Sequence, residues 1–183
     1  LLWSATLAEA AAVIARAYPS LPISNILRSA THFEGRDGRN MRFTTIRLIA
    51  CLLAIAGSGI RMWCYRELGK HFTFELGLQK DHKLITTGPY SIVRHPSYTA
   101  AILNNIALIG LYGTRGSWLR ESGVLETPMG KLAVAIELSF VAAISVALLK
   151  RIKEEDGVLR KQFGNQWDAW AAKVPYVLLP GVI

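Results

Sequence analysis

Cysteine, charge and the usual nucleotide-binding signatures are all scarce in this chain. Of its 183 residues only Cys51 and Cys64 are cysteines, both within or at the end of one apolar stretch. Neither has metal-ligand spacing to the other or to a histidine, so no disulfide framework and no metal are expected. Charged residues make up 19% against 51% hydrophobic, whereas about a quarter is charged in a typical soluble domain. Disorder is thereby excluded, and lipid is expected to take up much of the burial. Gly57-Ser58-Gly59 lies inside an apolar run and lacks the third glycine of a dinucleotide-binding turn. There is no P-loop, no His-Glu-x-x-His and no Gly-x-Ser-x-Gly.

What is present is basic and helical in period. Lys and Arg number 21 against 13 Asp and Glu, a net charge of +8, which suits an anionic bilayer surface or an anionic substrate. The basic residues do not gather in one tract and aromatics do not interleave with them, so nucleic acid is not an expected partner. The chain opens on Leu1-Leu2-Trp3 and reads as a fragment or a processed form. Glu9 and Arg16 in its first stretch argue against a secretory signal.

Four apolar stretches predict an all-α, multi-pass integral membrane helical bundle of about four spans. The first, residues 1–18, is Ala-rich and ends before Pro19 and Pro22. The second, residues 46–65, carries Arg47 and Arg61 near its ends, where long basic side chains snorkel to headgroups. The third, residues 96–114, has no charge and is the strongest expected span. The fourth, residues 132–149, is interrupted only by Glu137 and runs into a charged segment from Lys150 to Asp156, as a helix leaving a membrane would. Residues 31–42 form a polar loop made basic by Arg36, Arg39 and Arg42, so the positive-inside rule sets no orientation. The simpler alternative is a soluble bundle of unusually apolar helices. The chain reads as one domain over 1–183: an N-terminal helix and loop (1–45), a membrane core (46–149) with a polar loop at 66–98, and an amphipathic helical tail (150–183).

The densest polar grouping is LITTGPYSIVRHPSY, residues 84–98. Thr87-Gly88-Pro89 signals a turn and Pro96 suits the first turn of a helix. Arg94, His95, Ser97 and Tyr98 would sit beside a helix N-terminus, where free N–H groups favour an anion. The plain alternative is an interfacial anchor, with Tyr90 and Tyr98 in an aromatic belt. Arg151 and Glu155, four apart, share a helix face flanked by Glu154 and Asp156, and could equally be a solvated ion pair. Trp167, Trp170 and Tyr176 suggest an aromatic helix that ends near Pro175 and packs.

At these residues the sequence resembles the isoprenylcysteine carboxyl methyltransferase family of integral membrane enzymes. The resemblance rests on LGKHFTFEL, HKLITTGPYSIVRHPSYTA and KRIKEEDGVLRKQFGNQWDAWAAKVPYVLLP, in the family's order and spacing over residues 61–180. It implies methyl esterification of the carboxylate of a C-terminal prenylated cysteine in CaaX-processed proteins, with S-adenosyl-L-methionine as cofactor in a membrane-helix fold. By motif, His82, Lys83, Leu84, Ile85, Tyr90, His95, Pro96, Ser97 and Tyr98 would line the cofactor pocket. Glu155 would join them from a cytosolic tail, Arg151 would bind the substrate carboxylate, and Arg151 and Glu155 would carry catalysis. Glu75 lies near a further polar contact of the family. The same resemblance implies the endoplasmic reticulum membrane, with the site facing the cytosol.

Three readings compete. Phospholipid N-methylation shares the GPY and RHPxY pattern, but an amine acceptor asks for a base such as His71 or Glu137. An NADPH-dependent sterol reductase carries a similar RHPxY stretch and a similar tail, whereas adjacent Glu154 and Glu155 favour methyl transfer. A non-catalytic membrane scaffold would keep the helices without binding cofactor.

Overall fold

The computed structural model describes residues 2–31, 40–69 and 83–182. Within them every regular element is helical: α1 (Leu2–Ala17), α2 (Ser24–Thr31), α3 (Thr45–Leu68), α4 (Pro96–Gly113), α5 (Trp118–Glu121), α6 (Pro128–Phe163) and α7 (Asn165–Lys173). Two single 3-10 turns, Gly88–Ser91 and Val124–Glu126, lie between them. The expected all-α class therefore holds for the described residues. The expected positions His82, His71 and Glu75 lie outside those residues, as do residues 70–82 of the polar loop at 66–98 and most of the basic loop at 31–42.

The helix boundaries follow local chemistry. α1 stops short of Pro19, which cannot donate to a helical ladder. Pro96 and Pro128 open α4 and α6 at the position where a missing N–H costs nothing. α6 continues without a break from its apolar half through the charged run and ends before Gly164, whose φ is +50°.

Two helices, α3 and α6, are long and apolar enough to cross a bilayer. On α6 the apolar stretch is unburied, with Leu132, Ile136, Phe140, Ile144 and Leu149 all exposed. An apolar surface that size belongs against lipid or another protein. The third stretch, expected as the strongest span, forms the 18-residue α4 but is not one of the two. Its charge-free run includes Asn104 and Asn105 and a polar first turn, which lower its hydropathy.

The chain divides into two compact units, residues 1–52 with 106–142 and residues 53–105 with 143–183. In the first, α1 packs on α2 and α5. Ala5, Ala8 and Ala12 recur at helical spacing, and this small-residue stripe accommodates Trp118. The Trp118 indole donates to the Thr31 carbonyl at 2.7 Å. Arg47 of α3 pairs with Glu9 of α1, both nearly buried, and also donates to the Gly116 carbonyl at 3.1 Å.

The second unit holds the polar grouping. Gly57 of α3 lies so close to α4 that an added Cβ would meet the Ala100 carbonyl at 3.0 Å. Such small-residue contacts let helix backbones approach in lipid. Asn105 of α4 donates to Ser145 of α6 at 3.0 Å.

Candidate active site

All site residues described here belong to the second unit. The 3-10 turn at Gly88–Ser91 begins with a glycine at φ +58°, and a Cβ there would run into the Glu67 carboxylate and the Trp63 indole. Only glycine meets both demands. Thr87 donates to Glu67, locking the turn onto the end of α3. Tyr90 follows, half-buried, with its phenol beside the Cys64 thiol. Burial, reinforced by Cys64 and the Glu155 carboxylate, pushes the Tyr90 phenol far above its usual range.

The tail clasps the start of α4 through its backbone. The Arg94 and His95 amides donate to the Tyr176 and Val177 carbonyls, each at 2.9 Å. Thr99 donates to the Leu178 carbonyl at 2.7 Å. The Arg94 guanidinium caps the carbonyls of Val174 and Pro175 at 3.2 and 3.1 Å, and Trp170 of α7 donates to the Tyr90 carbonyl at 3.1 Å. Of the N–H groups expected to be free beside this helix start, those of Arg94 and His95 are therefore spent on the tail.

Those side chains converge from α4 and α6. His95 is buried, and its Nε2 lies 3.0 Å from Asp156 Oδ1. Its Nδ1 lies 4.0 Å from Glu155 Oε2. The Tyr98 hydroxyl donates to that same Glu155 oxygen at 2.6 Å. The His95 and Tyr98 rings stack with centroids 5.4 Å apart and planes 3° from parallel. Arg151, one helical turn before Glu155, also reaches the Tyr98 phenol. Its Nε is buried and has no hydrogen-bond partner, a costly condition unless a ligand supplies an acceptor. Asp156 Oδ2 faces Arg94 Nε at 3.6 Å, and the Arg94 guanidinium lies over the Trp167 ring.

Tyr90, His95, Tyr98, Arg151 and Glu155 are thus brought into one neighbourhood, as the sequence analysis expects. Pro96 is buried and Ser97 half-buried on the first turn of α4. Lys83 is exposed, and Leu84 and Ile85 are half-buried in the irregular chain leading to the 3-10 turn. The sequence marks Asp156 only as a charge flanking the Arg151–Glu155 face, and Arg94 as one of four residues beside the start of α4. In the structure the two order His95 and the tail. The available signal was the pairing of a basic residue before His95 with a third consecutive acid on α6.

Chemically, the arrangement offers a carboxylate held by a phenol, next to a guanidinium with an unspent N–H. A carboxylate suits the hydroxyls and ammonium of a cofactor such as S-adenosylmethionine, and a guanidinium suits a carboxylate. The residues present therefore fit the implied cofactor and acceptor. Among the described residues no group of three or more His, Cys, Asp and Glu side chains could hold a metal ion.

Comparison with known proteins agrees with the motif resemblance. Residues 48–115 match a family model described as the isoprenylcysteine carboxyl methyltransferase family. That span covers most of α3, the 3-10 turn and α4, and stops before Arg151 and Glu155. Protein-S-isoprenylcysteine O-methyltransferase B of Arabidopsis thaliana is 28% identical over 125 residues, which is 67% of this chain and 54% of the relative. A probable protein-S-isoprenylcysteine O-methyltransferase of Oryza sativa subsp. indica is 28% identical over 131 residues, 70% of this chain and 59% of the relative. The nickel-cobalt-cadmium resistance protein NccN of Alcaligenes xylosoxydans xylosoxydans is 26% identical over 133 residues, 72% of this chain and 47% of the relative. The chain spans about half the length of the curated relatives it matches.

Proposed function

We propose, from this family resemblance, that the chain is a single membrane methyltransferase domain that esterifies the carboxylate of a C-terminal prenylated cysteine in CaaX-processed proteins. The observation that carries the reading is the hydrogen bond from the Tyr98 hydroxyl to Glu155, with Arg151 beside the same phenol. It joins the segment RHPSY to the charged turn of α6 in one polar site. The apolar helices are read as a bundle of about four spans, α1, α3, α4 and the first part of α6. The charged end of α6 and α7 form the catalytic tail, in the endoplasmic reticulum membrane with the site on the cytosolic side.

S-adenosyl-L-methionine, when bound, supplies an electrophilic methyl group on a sulfonium. His82, Lys83, Leu84, Ile85, Tyr90, His95, Pro96, Ser97, Tyr98 and Glu155 are the residues assigned to hold it. Arg151 holds and aims the acceptor carboxylate through charge-assisted hydrogen bonds. That carboxylate, with a pKa of about 3.5, is ionised at neutral pH, so no side chain has to remove a proton. Holding the reactants in register and excluding water are then the main tasks of the chain. A prenyl tail would reach the site from the bilayer, gaining about 0.8 kcal/mol per buried methylene.

The test is methyl transfer from labelled S-adenosylmethionine, by membranes containing this chain, to a farnesyl-cysteine acceptor and, in parallel, to phosphatidylethanolamine. Base-labile label on the cysteine acceptor, released as methanol and lost in Glu155→Ala, is the expected result. Base-stable label in the phospholipid would replace the reading by N-methylation. No label on either acceptor, with insertion verified, would remove methyl transfer to both.

A further inference from the structure

The last turn of α1, the residues leading into α3 and the turn between α4 and α5 enclose a cavity of about 480 Å³, all within the first unit. That volume falls within the range of small-ligand sites. Among the described residues that line it are four arginines, Arg16, Arg42, Arg115 and Arg120, and one carboxylate, Glu121. That carboxylate already accepts the Gly116 amide at 3.0 Å, and the adjoining Glu9 is taken by Arg47. Among the described residues no ion pair engages Arg42, Arg115 or Arg120. The turn that brings Arg115 to the cavity depends on Gly116, at φ +88° with its backbone against Arg42. The fold thus crowds several guanidinium groups into one cavity.

Guanidinium groups in such numbers select a phosphate, whose oxygens accept paired N–H donors. The surroundings say which phosphate. Directly after Arg42 the chain exposes Phe43, Ile46 and Ile49, at 64%, 58% and 52% of their surface, along the start of α3, one of the two helices able to cross a bilayer. A basic cavity whose lining leads along the chain into exposed apolar residues fits an amphiphile, and basic pockets beside membrane helices take lipid headgroups. We propose that this cavity binds the phosphodiester headgroup of an anionic membrane phospholipid, with its acyl chains along α3. The assignment stands apart from the methyl-transfer site, which lies in the other unit.

The experiment titrates the purified chain, in neutral detergent, with short-chain phosphatidylglycerol, short-chain phosphatidylcholine and inorganic phosphate, following Trp fluorescence and thermal unfolding. Two double variants are compared with the unaltered chain: Arg115→Gln with Arg120→Gln, and Lys131→Gln with Lys161→Gln as a charge-matched control. Saturable phosphatidylglycerol binding is expected. It should weaken about tenfold or more in the arginine variant, as loss of charge-assisted hydrogen bonds implies, and less than about twofold in the lysine variant. Equal weakening in both variants would reduce the effect to diffuse charge and overturn the site. Inorganic phosphate binding as tightly as the lipid, with the same arginine dependence, would overturn the lipid assignment in favour of a free anion. Absence of saturable binding by any ligand would overturn the site altogether. Both arginines are exposed, so the variants should keep the unfolding temperature of the unliganded chain, which the same scans record.

Discussion

Tyr98 and Glu155 lie 57 residues apart in sequence and 2.6 Å apart in space. The bond ties the first turn of α4 to the charged half of α6, so neither helix can turn about its axis without breaking it. With Arg151 beside it as well, one phenol orients the carboxylate assigned to the cofactor and adjoins the guanidinium assigned to the acceptor.

Tyr98→Phe removes only the hydroxyl, and the ring stack on His95 is retained. A hydrogen bond to a charged group contributes about 1.5–3 kcal/mol. The expected outcome is a rise of about tenfold or more in the KM for S-adenosylmethionine, with a smaller change in kcat. Steady-state kinetics with each reactant varied in turn checks it. An unchanged KM would remove Tyr98 from the positioning of Glu155.

Arg151 and Glu155 should separate kinetically. Arg151→Ala is expected to raise the acceptor KM, since the guanidinium partner for the carboxylate is lost, and Arg151→Lys should recover part of it through charge without the fork. Glu155→Ala is expected to raise the cofactor KM instead. The two variants are compared by cofactor binding without acceptor, which only Glu155→Ala should weaken.

Much of this is legible in the sequence, and each part that is not has its own physical cause. Pro19 marks the end of α1 and Pro96 the start of α4 in the sequence itself, whereas α6 runs on through the change from apolar to charged residues. The four-residue spacing of Arg151 and Glu155 places them on one helix face, and the segment RHPSY announces a helix start. What could not be read is the tail clasp, because Tyr176 and Val177 act through backbone carbonyls and their side chains carry no signature of it. Helical spacing assigns Asp156 to a face beside that of Arg151 and Glu155, and its bond to His95, just before α4, comes from the packing of the two helices. Counting charges in the third stretch ignores Asn104 and Asn105, which lower its hydropathy.

Asp156→Asn tests that missed residue. The carboxylate lies at 3.0 Å from His95 and 3.6 Å from Arg94, and an amide of the same shape loses the charge that serves both. A destabilisation of about 1–3 kcal/mol is expected. The tail should loosen with it, so that the backbone amides of Arg94 and His95, bonded to Tyr176 and Val177, exchange hydrogen faster. Hydrogen exchange at those two amides separates a clasp effect from general loosening, which would speed amides throughout α3 as well.

In the other unit, Glu9→Gln leaves Arg47 buried without its counter-charge. The two side chains are 16% and 11% exposed, so breaking the pair should cost about 3 kcal/mol. Replacing both, as Glu9→Leu with Arg47→Met, should recover much of that loss, since neither charge is then left unpaired. Chemical denaturation of the two variants in detergent checks the order, single variant below double.

Tyr90 makes the alkaline limit of stability specific. Its phenol is held protonated by burial, with its pKa raised above the unfolded value of about 10. A group whose folded pKa is raised contributes its full stability below the unfolded pKa and loses it as pH climbs above that value. The stability of the unaltered chain should therefore fall as pH rises beyond about 10. Tyr90→Phe has no proton to lose and should show a shallower fall over the same window, although it starts lower because the contact with Cys64 is gone. Unfolding free energy measured from pH 8 to 11 in both chains decides it, and parallel slopes would mean that Tyr90 releases its proton as readily when folded as when unfolded.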